Sequence, residues 1–364
     1  MCELKILKHA LHHNIRLVRR LAGEARVIGV VKGNGYGLGL AELAGHLVDQ
    51  GVGCLAVSRL EEALELRACG LAGDIMLLSP LLERAELEEA LRQRLILCVA
   101  SRQGALAAEE AARGLDCRGR AQLCVDTGFG RYGFPWQQTQ QIWEAARLLD
   151  RVRVVGTYSH LSHAFDPEGR ETRQQSRRFT QVCDALTQGG VEPGVRHLAE
   201  SWGLLQSPEA RLDGVRVGSA FLGRLPFRDQ WGFEPIGCLR ARVREVRTLD
   251  PGNTVGYGGG YVARRPIRIA VVDAGYAQGL GLERSYATSD RGRLRSALGQ
   301  LRRVAHQTPL AAVTAQGQQL RVLGRVGMCD TVLEVTGTQI RVGDRVELPV
   351  NPIYVDARVP RVYV

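Results

Sequence analysis

The sequence predicts an α/β fold, with an N-terminal (β/α)8 barrel of the TIM type and a smaller, mostly β domain after it. Two observations carry this prediction. Before Arg224, eight short apolar runs alternate with amphipathic stretches, and beyond it the pattern changes to short alternating strands separated by turn residues. Strands that alternate with helices are typical of parallel β-α units, and eight such units can close a barrel. A doubly wound sheet is the weaker alternative, because no G-x-G-x-x-G follows the first strand.

Each predicted element has its own signal in the sequence. The apolar runs predict barrel strands at residues 27–32, 53–58, 75–79, 95–99, 121–126, 152–159, 194–197 and 214–218. Helical patterns fall at residues 8–22, 40–50, 59–68, 82–92, 102–113, 136–149, 171–188 and 201–207. The β-domain strands are predicted at residues 239–246, 267–272, 319–323, 332–335, 345–348 and 359–364. We therefore predict a barrel over 8–228 and a β domain over 229–364, joined by the strand in 1–7, with the boundary near 225–231.

The composition is that of an ordinary globular protein. With 364 residues and 45% hydrophobic content, the chain can bury a sizeable core. No apolar run approaches the roughly 20 residues that span a bilayer, and residues 1–14 lack the apolar core of a signal peptide. The nine cysteines are scattered and contain no C-x-x-C pair, which favours reduced thiols over zinc or disulfides. We expect a cytoplasmic protein that binds neither a membrane nor a metal.

The net charge of +10 comes mainly from arginine. The arginines are spread along the chain with few interleaved aromatic residues, so we expect anionic small ligands rather than nucleic acid. One local concentration of arginines lies in residues 283–303, a segment short of apolar residues. Such a segment is best explained as a solvated loop or helix face, and a gate over a site is the functional alternative.

Lys32 is the first candidate functional residue, because it ends an apolar run and four of the next seven residues are glycine. The carboxyl ends of barrel strands are where active sites are built. A lysine that snorkels beside a flexible loop is the structural alternative. If Lys32 is catalytic, the simplest use of its amine is a covalent bond to an aldehyde cofactor, of which pyridoxal 5'-phosphate (PLP) is the best known.

A PLP site also needs a phosphate cradle, a partner for the pyridine nitrogen and a proton donor or acceptor. Gly218 and Ser219 follow a strand and could present backbone N–H groups to a phosphate, with the Ser201 hydroxyl at the start of a helix. Arg216 places a fixed cation at the end of the same strand. Taken singly, Gly218 and Ser201 are better explained as a turn glycine and a helix cap.

The segment VVKGNGYG (30–37) resembles the cofactor-lysine motif of the PLP-dependent alanine racemase family, which has fold type III and a tyrosine four residues after the lysine. Eight further segments resemble successive motifs of this family in the same order: VDTGFGRYGF (125–134), GTYSHLS (156–162), HLAESWGLL (197–205), GVRVGSAFLG (214–223), VGYGGGYVA (255–263), VVDAGYAQG (271–279), GRVGM (324–328) and RVPRVYV (358–364). The resemblance covers nearly the whole chain. It implies the same two-domain plan that the pattern of elements predicts.

The resemblance also implies which residues surround the cofactor. PLP would be bound to Lys32, and the residues around its phosphate would be Tyr36, Ser201, Gly218 and Ser219. Arg216 would meet the pyridine nitrogen. Because an arginine does not readily give up its proton, it would keep that nitrogen unprotonated and limit side reactions such as transamination.

Racemisation needs a base on each face of the substrate Cα, because one base on one face returns the same enantiomer. The resemblance implies Lys32 on one face and Tyr276 on the other. Unperturbed pKa values of about 10 are too high for a base near neutrality, so nearby cations must lower them. The matching candidates are Arg131, His160 and Arg216.

In the family, the tyrosine that matches Tyr276 and the segment that matches Met328 both reach the lysine of the other subunit. The resemblance therefore implies a homodimer with shared active sites. It further implies that Arg131 binds the carboxylate of an amino-acid substrate and that Met328 lies beside it.

The chain departs from the family pattern at three places around the substrate. Cys124 replaces a lysine that can be carbamylated to brace the carboxylate-binding arginine, so Arg131 must be held in another way. The family's Cys-Met-Asp after GRV becomes Gly-Met-Cys, with Asp330 one place late, and Ala357 replaces a bulky tyrosine that narrows the entrance. We expect alanine or a larger or polar amino acid, such as serine, as the substrate.

Two other functions remain open at this point. A PLP-dependent amino-acid decarboxylase has the same two-domain plan, and Cys329 resembles the cysteine that acts as its acid; Arg216 in a racemase-like segment argues against it. A non-catalytic PLP-binding protein is the other alternative. It is disfavoured by the β domain and by the presence of Tyr276.

Overall fold

The structure is a computed structural model that describes residues 2–164, 169–224, 230–282, 311–314 and 317–364. The chain divides into two compact units, Leu11–Gly223 and the combination of Met1–Ala10 with Arg224–Val364. The arginine-rich segment 283–303 and most of the predicted boundary at 225–231 lie outside the described residues. No helix in the described part of the chain has the length and apolar character that a bilayer crossing needs.

The elements alternate regularly in the first unit and become mostly strands in the second. The strands are β1 (Glu3–Ile6), β2 (Arg26–Val30), β3 (Cys54–Val57), β4 (Asp74–Leu77), β5 (Ile96–Val99), β6 (Gly119–Asp126), β7 (Phe134–Pro135), β8 (Val152–Tyr158), β9 (Val195–His197), β10 (Gly214–Val217), β11 (Gly237–Leu249), β12 (Thr254–Val255), β13 (Tyr261–Val262), β14 (Ile267–Val272), β15 (Ala311–Thr314), β16 (Gln319–Leu323), β17 (Thr331–Glu334), β18 (Arg345–Pro349) and β19 (Arg361–Tyr363). The helices are α1 (Lys8–Ala22), α2 (Lys32–Tyr36), α3 (Leu40–Asp49), α4 (Leu60–Ala68), α5 (Arg84–Arg92), α6 (Arg102–Gly114), α7 (Thr139–Leu148), α8 (Arg170–Gln188) and α9 (Ser201–Gln206).

The first unit is a closed parallel barrel, which confirms the predicted (β/α)8 fold. Its strands follow the order β5-β4-β3-β2-β10-β9-β8-β6, and pairing of β5 with β6 closes the ring. The interior is filled by apolar side chains from these strands, among them Ile28, Met76 and Ile96. Because the strands are parallel, their carboxyl ends all meet at one rim. We call this end the carboxyl rim.

The helices begin and end close to the predicted positions. α1 has the predicted bounds, and its buried residues Leu11, Ile15 and Val18 recur at the spacing of one helix face. α7 begins three residues later than predicted, because residues 136–138 continue the turn after β7: the backbone N–H of Trp136 donates to the Asp126 carbonyl at 3.0 Å.

The second unit is mostly β, as predicted. Strands β11, β14, β17, β16, β15 and β18 form a ring that β11 closes, because its first half pairs with β18 and its second half with β14. β1 pairs with β11 and β19, so the first and last strands of the chain lie in this unit. The prediction missed β12, β13 and β15. The first two have only two residues each, and β15 is a short Ala-Ala-Val-Thr run without alternation.

Candidate active site

Lys32 lies just after β2, at the carboxyl rim of the barrel. The four residues after it all have positive φ, between 54° and 65°, so the chain makes one turn of left-handed helix. Glycine adopts this conformation without penalty and asparagine tolerates it, but Tyr36 costs about 1–2 kcal/mol in it. Backbone hydrogen bonds of 2.9 and 3.1 Å close the turn. The segment after Lys32 is therefore a defined turn rather than an open loop.

Tyr36 and Gly218 meet at this rim. A Cβ built on Gly218 would lie 2.4 Å from the Tyr36 hydroxyl, so only glycine leaves room for the phenol. The Tyr36 ring packs against the barrel interior, and burial raises the pKa of its hydroxyl. Tyr36 is therefore a neutral hydrogen-bond donor that lies beside the backbone of Gly218, where no side chain intervenes.

Ser201 is the first residue of α9 and is 2% exposed. The Glu200 carboxylate caps this helix by accepting hydrogen bonds from two of its backbone N–H groups, at 2.8 and 3.0 Å. The Ser201 hydroxyl accepts from the N–H groups of Gly218 (3.3 Å) and Ala220 (3.2 Å), on either side of Ser219. The structure thus brings together the four residues predicted to surround a phosphate.

Arg216 is a cation on β10 that is only 4% exposed. Its Nη1 donates to the carbonyl oxygen (2.9 Å) and Nδ1 (2.8 Å) of His197, and its Nη2 donates to the Ser159 carbonyl (2.5 Å). The guanidinium also lies 5.1 Å from the centre of the Tyr158 ring. These partners are all neutral, and burial lowers the pKa of Arg216. Within the described residues the Nε–H makes no hydrogen bond, which leaves it for a ligand.

His197 fixes the orientation of Arg216. Its Nδ1 accepts from Arg216 and its Nε2 pairs with the side-chain oxygen of Gln122, which defines the neutral tautomer. Burial, and after it the charge of Arg216, lowers the pKa of His197 well below its usual value. The ring also stacks on Tyr158, with 5.4 Å between the ring centres.

His160 and Arg131 lie at the same rim and line the same pocket. Burial lowers the pKa of His160 well below its usual value, and the charges of Arg216, Arg131 and Lys32 add to this effect. His160 is therefore neutral near pH 7. The positive charge at the rim comes from Arg131 and Arg216 and not, as predicted, from His160 as well.

Arg131 is held by aromatic rings. Its guanidinium lies 4.6 Å from the centre of the Phe129 ring and 5.7 Å from that of Tyr132. Cys124 is buried, and its Sγ donates to the Tyr132 carbonyl at 3.6 Å. Arg131 is thus held without the lysine of the family pattern. Cys124, which stands in place of that lysine, bonds to the backbone of Tyr132, one of the two residues whose rings contact Arg131.

Lys32 is surrounded by these groups. Burial lowers the pKa of its amine, Arg131 and Arg216 lower it further, and Glu62 acts in the opposite direction. The neutral amine is the form that attacks an aldehyde or accepts a proton, so the rim favours the reactive form. The chain contains lysine only at positions 5, 8 and 32, which makes Lys32 the one lysine of the barrel unit.

Tyr276 and Met328 belong to the second unit, where the backbone brings them side by side. The N–H of Tyr276 donates to the Gly327 carbonyl at 3.0 Å, and the N–H of Ala277 donates to the Met328 carbonyl at 2.9 Å. Gly275 lets these two segments approach each other, since a Cβ at this position would collide with the Gly327 carbonyl oxygen. Both side chains are open to solvent, with 45% of Tyr276 and 59% of Met328 exposed.

The other residues that depart from the family pattern also lie on the surface of the second unit. Cys329, Asp330 and Ala357 are all exposed. The Ala357 carbonyl accepts a hydrogen bond from the Arg361 guanidinium at 2.9 Å, so this segment is held although its side chain is small.

The carboxyl rim fits PLP on three counts. The charges of Arg131 and Arg216 have no paired carboxylate among the described residues, which suits an anionic cofactor. Gly218 exposes backbone beside the Tyr36 hydroxyl, where an added Cβ would collide. The unused Nε–H of Arg216 suits a neutral ring nitrogen as its acceptor.

Sequence reasoning missed His197, Gln122, Tyr158 and Glu62. His197 and Tyr158 fall inside segments that were noted for other residues, but a buried polar residue on a strand leaves no periodic signal. Their importance depends on which strands are neighbours: the ladder sets Tyr158 opposite His197 and Cys124 opposite Tyr158. That pairing is a property of the folded barrel.

Comparison with known families gives matches along almost the whole chain. The family described as "Alanine racemase, N-terminal domain" matches residues 6–226, and "Alanine racemase, C-terminal domain" matches residues 237–357. These two regions coincide with the barrel and with most of the β unit.

Individual relatives point the same way. A protein named alanine racemase from Desulforamulus reducens is 32% identical over 98% of this chain and 96% of its own length. Another from Symbiobacterium thermophilum is 33% identical over 93% of this chain and 85% of its own length. The crystal structure of alanine racemase from Streptomyces lavendulae superposes with a TM-score of 0.84 at 28% identity, covering 100% of this chain and 97% of that one.

Proposed function

Because the chain belongs to the alanine racemase family and is thereby an amino-acid racemase, we propose that it interconverts the enantiomers of a free amino acid with PLP, using Lys32 and Tyr276 as the two bases. The observation that carries this proposal is the setting of Lys32. The one lysine of the barrel unit lies at the carboxyl rim, and burial and two arginines lower the pKa of its amine. A buried ionisable group with a shifted pKa beside charged partners is typical of a functional site.

When bound, PLP supplies an aldehyde and an electron-accepting ring, which make the Cα proton of an amino acid easier to remove. The residues that we propose hold it are Lys32, Tyr36, His160, Ser201, Arg216, Gly218 and Ser219. Arg216 keeps the ring nitrogen unprotonated, because a guanidinium gives up its proton only far above neutral pH. This weakens the ring as an electron sink and favours return of the proton to Cα.

Two groups of the chain then handle that proton. Lys32 Nζ removes or returns it on one face and Tyr276 Oη does so on the other, which is what inversion requires. Arg131 binds the substrate carboxylate as a fixed cation, and Met328 lies beside it. The exposure of Tyr276 and Met328 supports a homodimer in which these residues complete a shared site. We place the protein in the cytoplasm, since all nine cysteines are unpaired.

We propose that the substrate side of the site is more open than in the family pattern. Cys124 and Ala357 are much smaller than the lysine and tyrosine that they replace. One methylene in a pocket is worth only about 1–3 kcal/mol of discrimination, so we propose that side chains larger than that of alanine are accepted.

Incubation of the PLP-loaded protein with each enantiomer of alanine, serine, lysine, arginine and glutamate, followed by chiral chromatography, tests this function. We expect racemisation of alanine and of at least one larger amino acid. A strict preference for alanine contradicts the broader substrate range. Carbon dioxide release without enantiomer exchange favours the decarboxylase alternative, in which Cys329 is the acid.

The two-base assignment has its own test. Tyr276→Phe removes one hydroxyl from an exposed ring, and we expect racemisation to fall about 10²–10⁴-fold. Tyr261→Phe, on a strand of the same unit, is the matched control and should leave the rate unchanged. Enantiomer exchange that survives Tyr276→Phe unchanged contradicts the assignment.

A further inference from the structure

Glu62 makes a contact that the proposed function does not use. It is the third residue of α4, and its Oε2 accepts from the backbone N–H groups of Ser58 (3.1 Å) and Arg59 (3.2 Å), as a capping residue does. Its Oε1 accepts from the N–H of Gly33 at 2.6 Å. Gly33 lies in a different loop and is the residue directly after Lys32. The carboxylate therefore joins the start of α4 to the turn that carries the lysine.

The barrel brings these two loops together. β2 and β3 are neighbours, with Val30 opposite Ala56, so the segments that follow them leave the rim side by side. The turn whose Gly33 N–H donates this hydrogen bond holds Tyr36 in a left-handed conformation, which a bulky side chain disfavours. A charge-assisted hydrogen bond is among the stronger kinds, and here it secures the first amide of that turn.

The charge of Glu62 also matters to Lys32. Among the described residues, the charged groups that shift the pKa of Lys32 are Arg131, Arg216 and Glu62, and of these only Glu62 raises it. His160 faces the same amine but is neutral near pH 7. Without Glu62, burial and two arginines would act on the lysine unopposed.

We propose that Glu62 is a positioning residue for Lys32: it anchors the turn behind the lysine and opposes the two arginines by its charge. This role rests on the proposed function, in which Lys32 carries the cofactor and acts as a base. The contact itself does not depend on that function, so it can be tested separately.

Competitive acetylation of the full-length chain freed of cofactor, read by mass spectrometry from pH 6 to 11, measures the titration of Lys32. Lys5, Lys8 and the N-terminal amine serve as internal references. In Glu62→Gln we expect the Lys32 midpoint to fall below that of the wild type, because the opposing negative charge is gone. Glu61→Gln removes the same charge from the exposed neighbour and should leave the midpoint unchanged.

A second variant separates the anchor from the charge. Glu62→Asp keeps the charge and a short capping side chain but is one methylene too short to span both loops. We expect its Lys32 midpoint to stay near that of the wild type, while PLP, followed by its visible absorbance during dialysis, is released about tenfold faster. Glu62→Gln should show both defects, and thermal unfolding identifies a variant that has not folded.

The outcomes are distinct. Equal midpoints and equal PLP release in Glu62→Gln and Glu61→Gln show that Glu62 is only a helix cap, and unchanged PLP release in Glu62→Asp contradicts the anchor even if Glu62→Gln does not fold. A wild-type protein that racemises nothing but shows the Glu62-dependent midpoint overturns the proposed function and leaves the contact standing. Racemisation without any Glu62 effect overturns the positioning role alone.

Discussion

The two ends of the barrel use arginine differently. Near the amino ends of the strands, Arg196 pairs with Asp213 at 2.9 Å and Arg120 pairs with Asp74 at 2.7 Å, and these side chains are 37–45% exposed. At the carboxyl rim, Arg216 is buried and bonded to carbonyl and imidazole groups, with no paired carboxylate among the described residues. A cation whose charge is not neutralised by a carboxylate can act on neighbouring groups and on ligands. Arginine therefore contributes to structure at one end and to chemistry at the other.

The ionisable groups differ accordingly. At the carboxyl rim, burial and nearby arginines lower the pKa values of Lys32, His160 and His197. This shift favours the neutral, basic form of each group. At the other end, hydrogen bonds from Arg196 lower the pKa of Asp213, which keeps that carboxylate charged. The same residue type therefore favours uncharged partners at one end and charged partners at the other, and mutations at each end should have effects of different kinds and sizes.

Removal of the rim amine should have the largest effect. In Lys32→Ala we expect racemisation to fall at least about 10³-fold and PLP to be lost on dialysis, because no other lysine lies in the barrel unit. Lys8→Ala removes an exposed lysine and is the control. Chiral chromatography and visible absorbance measure the two effects. Retention of PLP and activity in Lys32→Ala would disprove the assignment of the rim as the active site.

Removal of an arginine should lower the free energy of unfolding more at the carboxyl rim than near the amino ends of the strands. Arg216→Ala leaves the Ser159 carbonyl and the His197 Nδ1 without the Arg216 donor, and we expect a loss of about 2–3 kcal/mol in the free energy of unfolding. Arg196→Ala breaks a half-exposed ion pair and should cost about 0.5–1 kcal/mol. Urea denaturation of the two variants measures the difference. A stabilised Arg216→Ala would mean that the buried charge costs more than its hydrogen bonds return.

The architecture of both units followed from patterns that repeat along the chain. Parallel barrel strands are buried on both faces and read as continuous apolar runs, so β3, β5 and β8 were found within a few residues of their observed bounds. The turn after Lys32 was noted for its glycines, but its left-handed course was not foreseen. That course depends on four successive φ angles that no local propensity dictates.

The site was predictable to a lesser extent. Lys32, Arg216 and Ser201 lie at strand ends or helix starts that the sequence marks, and the resemblance named their neighbours. The groups that hold them could not be found, because Gln122 and His197 come from separate strands and meet only when the barrel closes. Whether a histidine such as His160 is charged also depends on burial, which is a property of the fold.

The pH dependence of folding should differ between the two ends. His197 has a lowered pKa in the folded protein and about 6.5 when unfolded, so below pH 6.5 the unfolded chain binds a proton that the folded protein does not. Its contribution is complete above pH 6.5 and is lost as the pH falls towards the folded pKa. We expect His197→Asn, which keeps an acceptor for Arg216, to reduce the slope of unfolding free energy between pH 6 and 5 by about 1.4 kcal/mol per pH unit. Urea titrations at several pH values measure this slope, and an unchanged slope contradicts a neutral buried His197.

The smallest effect is expected at the amino end. The pKa of Asp213 is lowered by its hydrogen bonds to Arg196, so this pair contributes above about pH 4 and loses its contribution as the pH falls through the lower folded value. A double-mutant cycle of Arg196→Ala and Asp213→Asn should give a coupling energy of about 0.5–1 kcal/mol that shrinks in 1 M salt, because both side chains are more than a third exposed. The coupling energy should be constant between pH 5 and 6, where the expected His197 slope is steep. A coupling that changes across that range would show that the amino end senses the rim histidines, and the two ends would then form one electrostatic unit.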